Sequence, residues 1–80
     1  MDRTQFLYLA QKVSTLKDGV QGIKINIPKN MQVIYNKIFY YPLGYEMKFK
    51  NGDVLHNAIL HDLKANSVIH CPLENVKGCE

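Results

Sequence analysis

Six side chains of this chain are of types that bind metal or carry acid–base and nucleophilic chemistry: His56, His61, Asp62, His70, Cys71 and Cys79. Imidazole nitrogens, thiolates and carboxylates are the donors that zinc selects. Spacing decides whether they can meet. His56 and His61 are five apart, so a regular strand sends them to opposite faces. A two-residue turn on Ala65-Asn66 would set His61 opposite His70, and two facing histidines with no third ligand make half a metal site. There is no Cys-x-x-Cys and no His-x-x-x-His. The expectation is partly exposed strand histidines, with no metal and no cofactor. Cys71 beside His70, with His61-Asp62 nearby, has the residue types of a cysteine hydrolase, which needs a thiolate activated by an oriented imidazole. Strand parity puts Cys71 on the apolar face of Leu60 and turns His70 the other way. Cys71 therefore reads as a small buried hydrophobe, and the chain as no enzyme.

Aromatic and basic residues make the second constellation. Tyr35, Phe39, Tyr40, Tyr41 and Tyr45 lie close together in sequence, interleaved with Lys37, Lys48 and Lys50. Lysines neutralise phosphates and tyrosines stack bases, so Lys37, Tyr40, Tyr41, Lys48 and Lys50 form a candidate ligand-contact surface for nucleic acid. The bulk charge gives this little support. Ten basic residues stand against seven acidic ones, a net charge of +3 with no basic run. Protein recognition or self-association is the first expectation, through exposed sheet edges or the Leu7-Tyr8 pair, and nucleic-acid binding is the alternative.

The elements that would position these residues start from Asn51-Gly52. That dipeptide suits a two-residue type I′ turn, because both turn positions need φ > 0. The register follows: Lys50 opposite Asp53, Phe49 opposite Val54, Met47 opposite His56, Tyr45 opposite Ala58 and Leu43 opposite Leu60. The residues of the last four pairs share one largely apolar face, while Lys48, Glu46, Asn57 and Gly44 lie on the other.

Upstream, residues 2–17 read as a helix. Asp2 and Gln5 have capping-box spacing, Phe6, Leu9, Ala10, Val13 and Leu16 form one apolar stripe, and Gly19 is the expected stop. Residues 23–27 alternate as a short strand ended by Pro28. Further strands are expected at 31–35 and 38–41, joined by a tight turn on Asn36-Lys37. Gly44 after Pro42 suggests a bulge or bend. Asn66 can supply φ > 0 in the next turn, 68–71 is the returning strand, 72–76 a closing 3₁₀-like turn, and 77–80 a polar tail.

Residues 40–50, Asn51-Gly52, 53–61 and 72–76 together resemble an SH3-like small barrel over about residues 31–76. Peptide-binding SH3 domains open their ligand groove with a Trp, and this chain has none. The likeness therefore implies a fold and no ligand residues. The expected architecture is a single α+β domain over 1–80: a helical segment at 1–18 packed on a bent antiparallel sheet or barrel at 22–76. The expected core is Phe6, Leu9, Ala10, Val13, Leu16, Val33, Tyr45, Met47, Phe49, Val54, Ala58, Leu60, Ile69 and Cys71. With no secretory signal, no spanning apolar run and two cysteines, the expected compartment is the cytoplasm, away from membranes.

Overall fold

The computed structural model describes residues 1–16, 28–62 and 65–78. The expected helix stop at Gly19, the strand at 23–27 and Cys79 lie outside them. Helix α1 spans Arg3–Leu16. Asp2 starts it: its Oδ1 accepts a hydrogen bond from the Gln5 amide at 2.8 Å, and its carbonyl accepts from Phe6 at 3.1 Å. A side-chain acceptor at this position satisfies an amide that the helix itself leaves unpaired. Phe6, Ala10 and Val13 are buried and Leu9 partly so, while Leu7, Tyr8, Gln11 and Lys12 stay exposed, as the stripe requires.

The strands are β1 (Val33–Tyr35), β2 (Ile38–Lys50), β3 (Asp53–Asp62), β4 (Ser67–Pro72) and β5 (Lys77–Gly78). They form one antiparallel sheet in the order β4-β3-β2-β1-β5. The sheet is open. Lys77 and Gly78 both pair with β1, and no ladder runs on from β5 to β4 among the described residues, so the sheet does not close into the expected barrel. Residues 77 and 78, expected in a frayed tail, are held as a strand because Ile34 pairs with Lys77 and Val76 beside it is buried. The Met1 ammonium ties the helix start to the same corner by donating to the Val76 carbonyl at 2.6 Å. Strand β1 begins at Val33 rather than 31, because Lys29–Met31 forms a 3₁₀ turn. A second 3₁₀ turn, Leu73–Asn75, fills the expected place between β4 and β5.

Two tight turns set the register of β2 from its two ends. Asn51 and Gly52 have φ of 52° and 84°, and Asn36 and Lys37 have φ of 53° and 66°. Lys50 pairs with Asp53, Phe49 with Val54, Met47 with His56 and Tyr45 with Ala58, the expected register. The register changes between Pro42 and Gly44: Pro42 lies opposite Leu60, and Gly44 opposite Ile59. Leu43, expected opposite Leu60, is the extra residue of this bulge and packs against the Tyr41 and Val13 cluster instead. Strand β2 thus runs through its proline unbroken. In an antiparallel ladder, hydrogen-bonded and non-bonded pairs alternate. Counting from the Lys50–Asp53 pair that flanks the turn, Pro42 and Pro72 both fall in non-bonded pairs, so neither missing N–H costs a ladder bond.

The main core gathers Phe6, Val33, Tyr40, Ala58, Leu60, Cys71, Leu73 and Val76, with Leu9, Tyr45 and Ile69 packed against it. Three expected core residues lie at the surface instead. Met47, Phe49 and Val54 are exposed, because the helix covers the sheet only as far as Tyr45, where the Arg3 guanidinium lies 5.7 Å from the ring centre.

Two substitutions check this account by urea denaturation. Leu60→Ala removes a fully buried side chain and should destabilise by about 2–5 kcal/mol. Lys37→Gly relieves a non-glycine residue of positive φ and should stabilise by about 0.5–1 kcal/mol.

Candidate functional site

The chemistry-bearing residues are spread over both faces of the sheet. The ladder pairs Asp62 with Ser67, so the β3–β4 turn is longer than two residues, and the register moves by two from the expected one. His61 lies opposite Val68, and His70 opposite Ile59, so the two histidines do not face each other. His61 is 2% exposed, lies edge-on to Tyr41 with ring centres 6.5 Å apart, and donates from Nε2 to Asn66 Oδ1 at 3.2 Å. Asn66, whose φ is 51°, thus serves both the turn and the buried imidazole. Among the described residues, no three His, Cys, Asp or Glu side chains gather where one ion could bind them.

Cys71 is buried, and its Sγ lies 3.9 Å from the Ala58 carbonyl. Burial pushes its thiol up to about 11, far from the poise of a nucleophile. His70 points to the opposite face, as strand parity requires. There its Nδ1 donates to Glu46 Oε1 at 2.8 Å, and Asn57 Nδ2 reaches the same oxygen at 3.4 Å. The Lys48 ammonium is 3.8 Å away. The hydrogen bond from His70 is the main cause holding the Glu46 carboxyl below its ordinary 4.5, with Asn57 and Lys48 acting in the same direction. This cross-strand cluster was half legible in the sequence. The hairpin register sets Glu46 opposite Asn57, but the longer β3–β4 turn hid His70.

The expected nucleic-acid surface does not come together. Tyr40 and Tyr41 are only 6% and 3% exposed, so neither can offer a face to a base. Two clusters hold them inside: Tyr40 packs with Val33 in the main core, and Tyr41 with Val13 and Leu43 in a second cluster. Lys37 sits at the β1–β2 turn and Lys50 at the β2–β3 turn, at opposite ends of the longest strand. Lys48 lies beside Glu46, and Lys50 opposite Asp53.

The structure presents an arm instead. The β1 ladder on β2 ends at Tyr40, and the β4 ladder on β3 ends at Asn57. Between these limits and the Asn51-Gly52 turn, β2 and β3 pair only with each other among the described residues. Phe49 is 78% exposed, with Met47 and Val54 on the same face and Leu55 on the other. At the arm's root the Tyr45 hydroxyl donates to His56 Nδ1, and the two rings stack 5.8 Å apart. A groove of about 300 Å³ runs beside the β3 side of the arm, lined by Val54, Leu55, His56, Asn57, Pro72 and Glu74. The sequence pattern places Met47, Phe49 and Val54 of the arm in the core. The missing signal was how far the helix reaches.

In a Cys79→Ser variant, Cys71 should resist iodoacetamide in the native protein and react once urea unfolds it; rapid native labelling would show an accessible thiol. An NMR titration of Glu46 should find its carboxyl ionising below 4.5, and His70→Gln should move it back up. Because the folded state holds this proton more weakly, the cluster's contribution to stability is present above the ordinary carboxylate range. It is lost as pH falls through the lowered value. The chain matches no family model, no curated protein and no solved structure.

Proposed function

We propose that this domain is a small non-enzymatic binding module that docks a protein, or a second copy of itself, through the β2–β3 arm. One observation carries the reading: a ribbon that among the described residues pairs only with itself holds Phe49 at 78% exposure, with Met47 and Val54 on the same face. Burying an aromatic or aliphatic side chain of this size is worth about 1.5–3 kcal/mol, which the isolated domain forgoes at each of these positions. Clustered apolar exposure of this kind marks interaction surfaces. The unreactive setting of Cys71 and the dispersal of the histidines support a non-enzymatic role. The bent β2 and the 3₁₀ turn ahead of β5 support an SH3-like reading of the architecture, in an open form. A free, buried thiol suits a reducing cytoplasm, and no described helix is long and apolar enough to cross a membrane.

Nucleic-acid binding stays the second reading, because Lys48 and Lys50 flank the exposed Phe49 on the arm. A strand held there would lose affinity steeply with salt, whereas docking through the apolar face would not.

A photoreactive phenylalanine analogue at position 49 tests the proposal in a lysate of the source cell. Irradiation should join the domain to a protein, and the same analogue at exposed Asn75 should not. Adducts to nucleic acid alone, abolished at high salt, would favour the second reading. No adduct specific to position 49 would remove the arm as the docking surface.

A further inference from the structure

The backbone of the arm narrows what it can dock. Lys50 and Asp53 flank a two-residue turn and exchange their hydrogen bonds. By alternation Lys48 and Glu46 also bond inward to β3, and the amides and carbonyls of Tyr45, Met47 and Phe49 point outward from β2. No strand pairs with them among the described residues. Val54 and His56 point outward from β3 by the same rule, but that edge is flanked by Pro72 and Glu74 along the groove. The free edge of β2 is thus a template for one more antiparallel strand.

We infer that this strand is β2 of a second copy, laid edge to edge so that Met47 sits opposite its own counterpart. The inference rests on the docking reading above and names its occupant. Outward-pointing residues must pair with outward-pointing residues, which leaves registers that differ in steps of two. Charge separates them. With Met47 opposite Phe49, Glu46 faces Lys50 twice, but Lys48 faces Lys48 at the two-fold axis. With Tyr45 opposite Met47, Glu46 faces Glu46. With Phe49 opposite Phe49, Lys48 faces Lys50. With Met47 opposite Met47, Glu46 faces Lys48 twice, once on each side of the two-fold axis, and Lys50 faces Gly44. On the apolar face the same register sets Phe49 opposite Tyr45 twice, an aromatic cross-strand pair that covers the most exposed aromatic ring of the arm. Such an interface is self-complementary, as a two-fold dimer requires. It joins two short arms, so it belongs among small, reversible contacts, with dissociation in the micromolar range.

Disulfide trapping in the full chain carrying Cys79→Ser reads the register. Bonded antiparallel pairs lie about 5.5 Å apart at Cα, within disulfide reach, whereas diagonal neighbours lie about 7–8 Å apart. Under mild oxidation at about 100 μM protein, Met47→Cys should form a covalent dimer about tenfold faster than Lys48→Cys or Leu55→Cys. By sedimentation, Glu46→Lys and Lys48→Glu should each weaken self-association about tenfold, and the double variant should restore it. Restoration separates the cross-copy pair from the loss of Glu46's own bond to His70, which the double variant also lacks. Faster trapping at Lys48→Cys or Leu55→Cys would overturn this register or this edge. A protein that stays monomeric at millimolar concentration would overturn the inference. In that case a position-49 adduct to a different protein leaves the docking reading standing, and its absence removes both.

Discussion

The structure turns on a conflict within β2 and its resolution at Pro42–Gly44. The Asn36-Lys37 turn fixes the start of β2 so that Tyr40 and Pro42 share the face of Val33 and Leu60. The Asn51-Gly52 turn fixes its end so that Tyr45, Met47 and Phe49 share the face of Ala58. One set is even-numbered and the other odd. A regular strand of period two cannot satisfy both, and a slip of one residue would exchange buried and exposed faces along half the sheet. One extra residue, Leu43, reconciles them, and the strand bends there. Both turns are set by backbone chemistry, since each needs φ > 0 at both positions.

The bulge divides labour along β2. Before it, Tyr40 and Tyr41 are drawn into two apolar clusters, and α1 spans both through Phe6 and Val13. After it, the strand passes the end of the helix and becomes an arm with an apolar face and a free edge. The helix is anchored at that limit by Asp2 at its cap, by the Met1 bond to Val76, and by Arg3 over Tyr45. It cannot cover Met47 or Phe49 without giving up those contacts. Exposure of the arm is therefore a consequence of where the helix is tied, and composition alone does not reveal it.

Local chemistry made much of this legible in the sequence. The hairpin register, the helix cap, the positive-φ positions at Asn36, Asn51 and Asn66, and the irregularity at Gly44 all rest on interactions between near neighbours. The errors share another cause. Whether Phe49 is core or surface depends on the reach of an element more than thirty residues away. The burial of both Tyr40 and Tyr41 depends on two apolar clusters assembled by distant residues, Phe6 and Val33 around one and Val13 around the other. The pairing of His70 with Ile59 depends on the length of one turn, which no residue of that turn dictates. The lysine and tyrosine surface is divided in the same way: Tyr40 and Tyr41 are interior, and Lys37 and Lys50 stand at opposite ends of one long strand.

Amide hydrogen exchange along β2, followed residue by residue by NMR at rising protein concentration, tests the account most directly. In dilute protein the amides of Glu46 and Lys48 should be protected by β3, while those of Met47 and Phe49 exchange freely at the open edge. As concentration rises, Met47 and Phe49 should slow together, with Glu46 and Lys48 little changed. Protection of Met47 and Phe49 already present in dilute monomer, or their free exchange at every concentration, would contradict an open edge that pairs with its own copy.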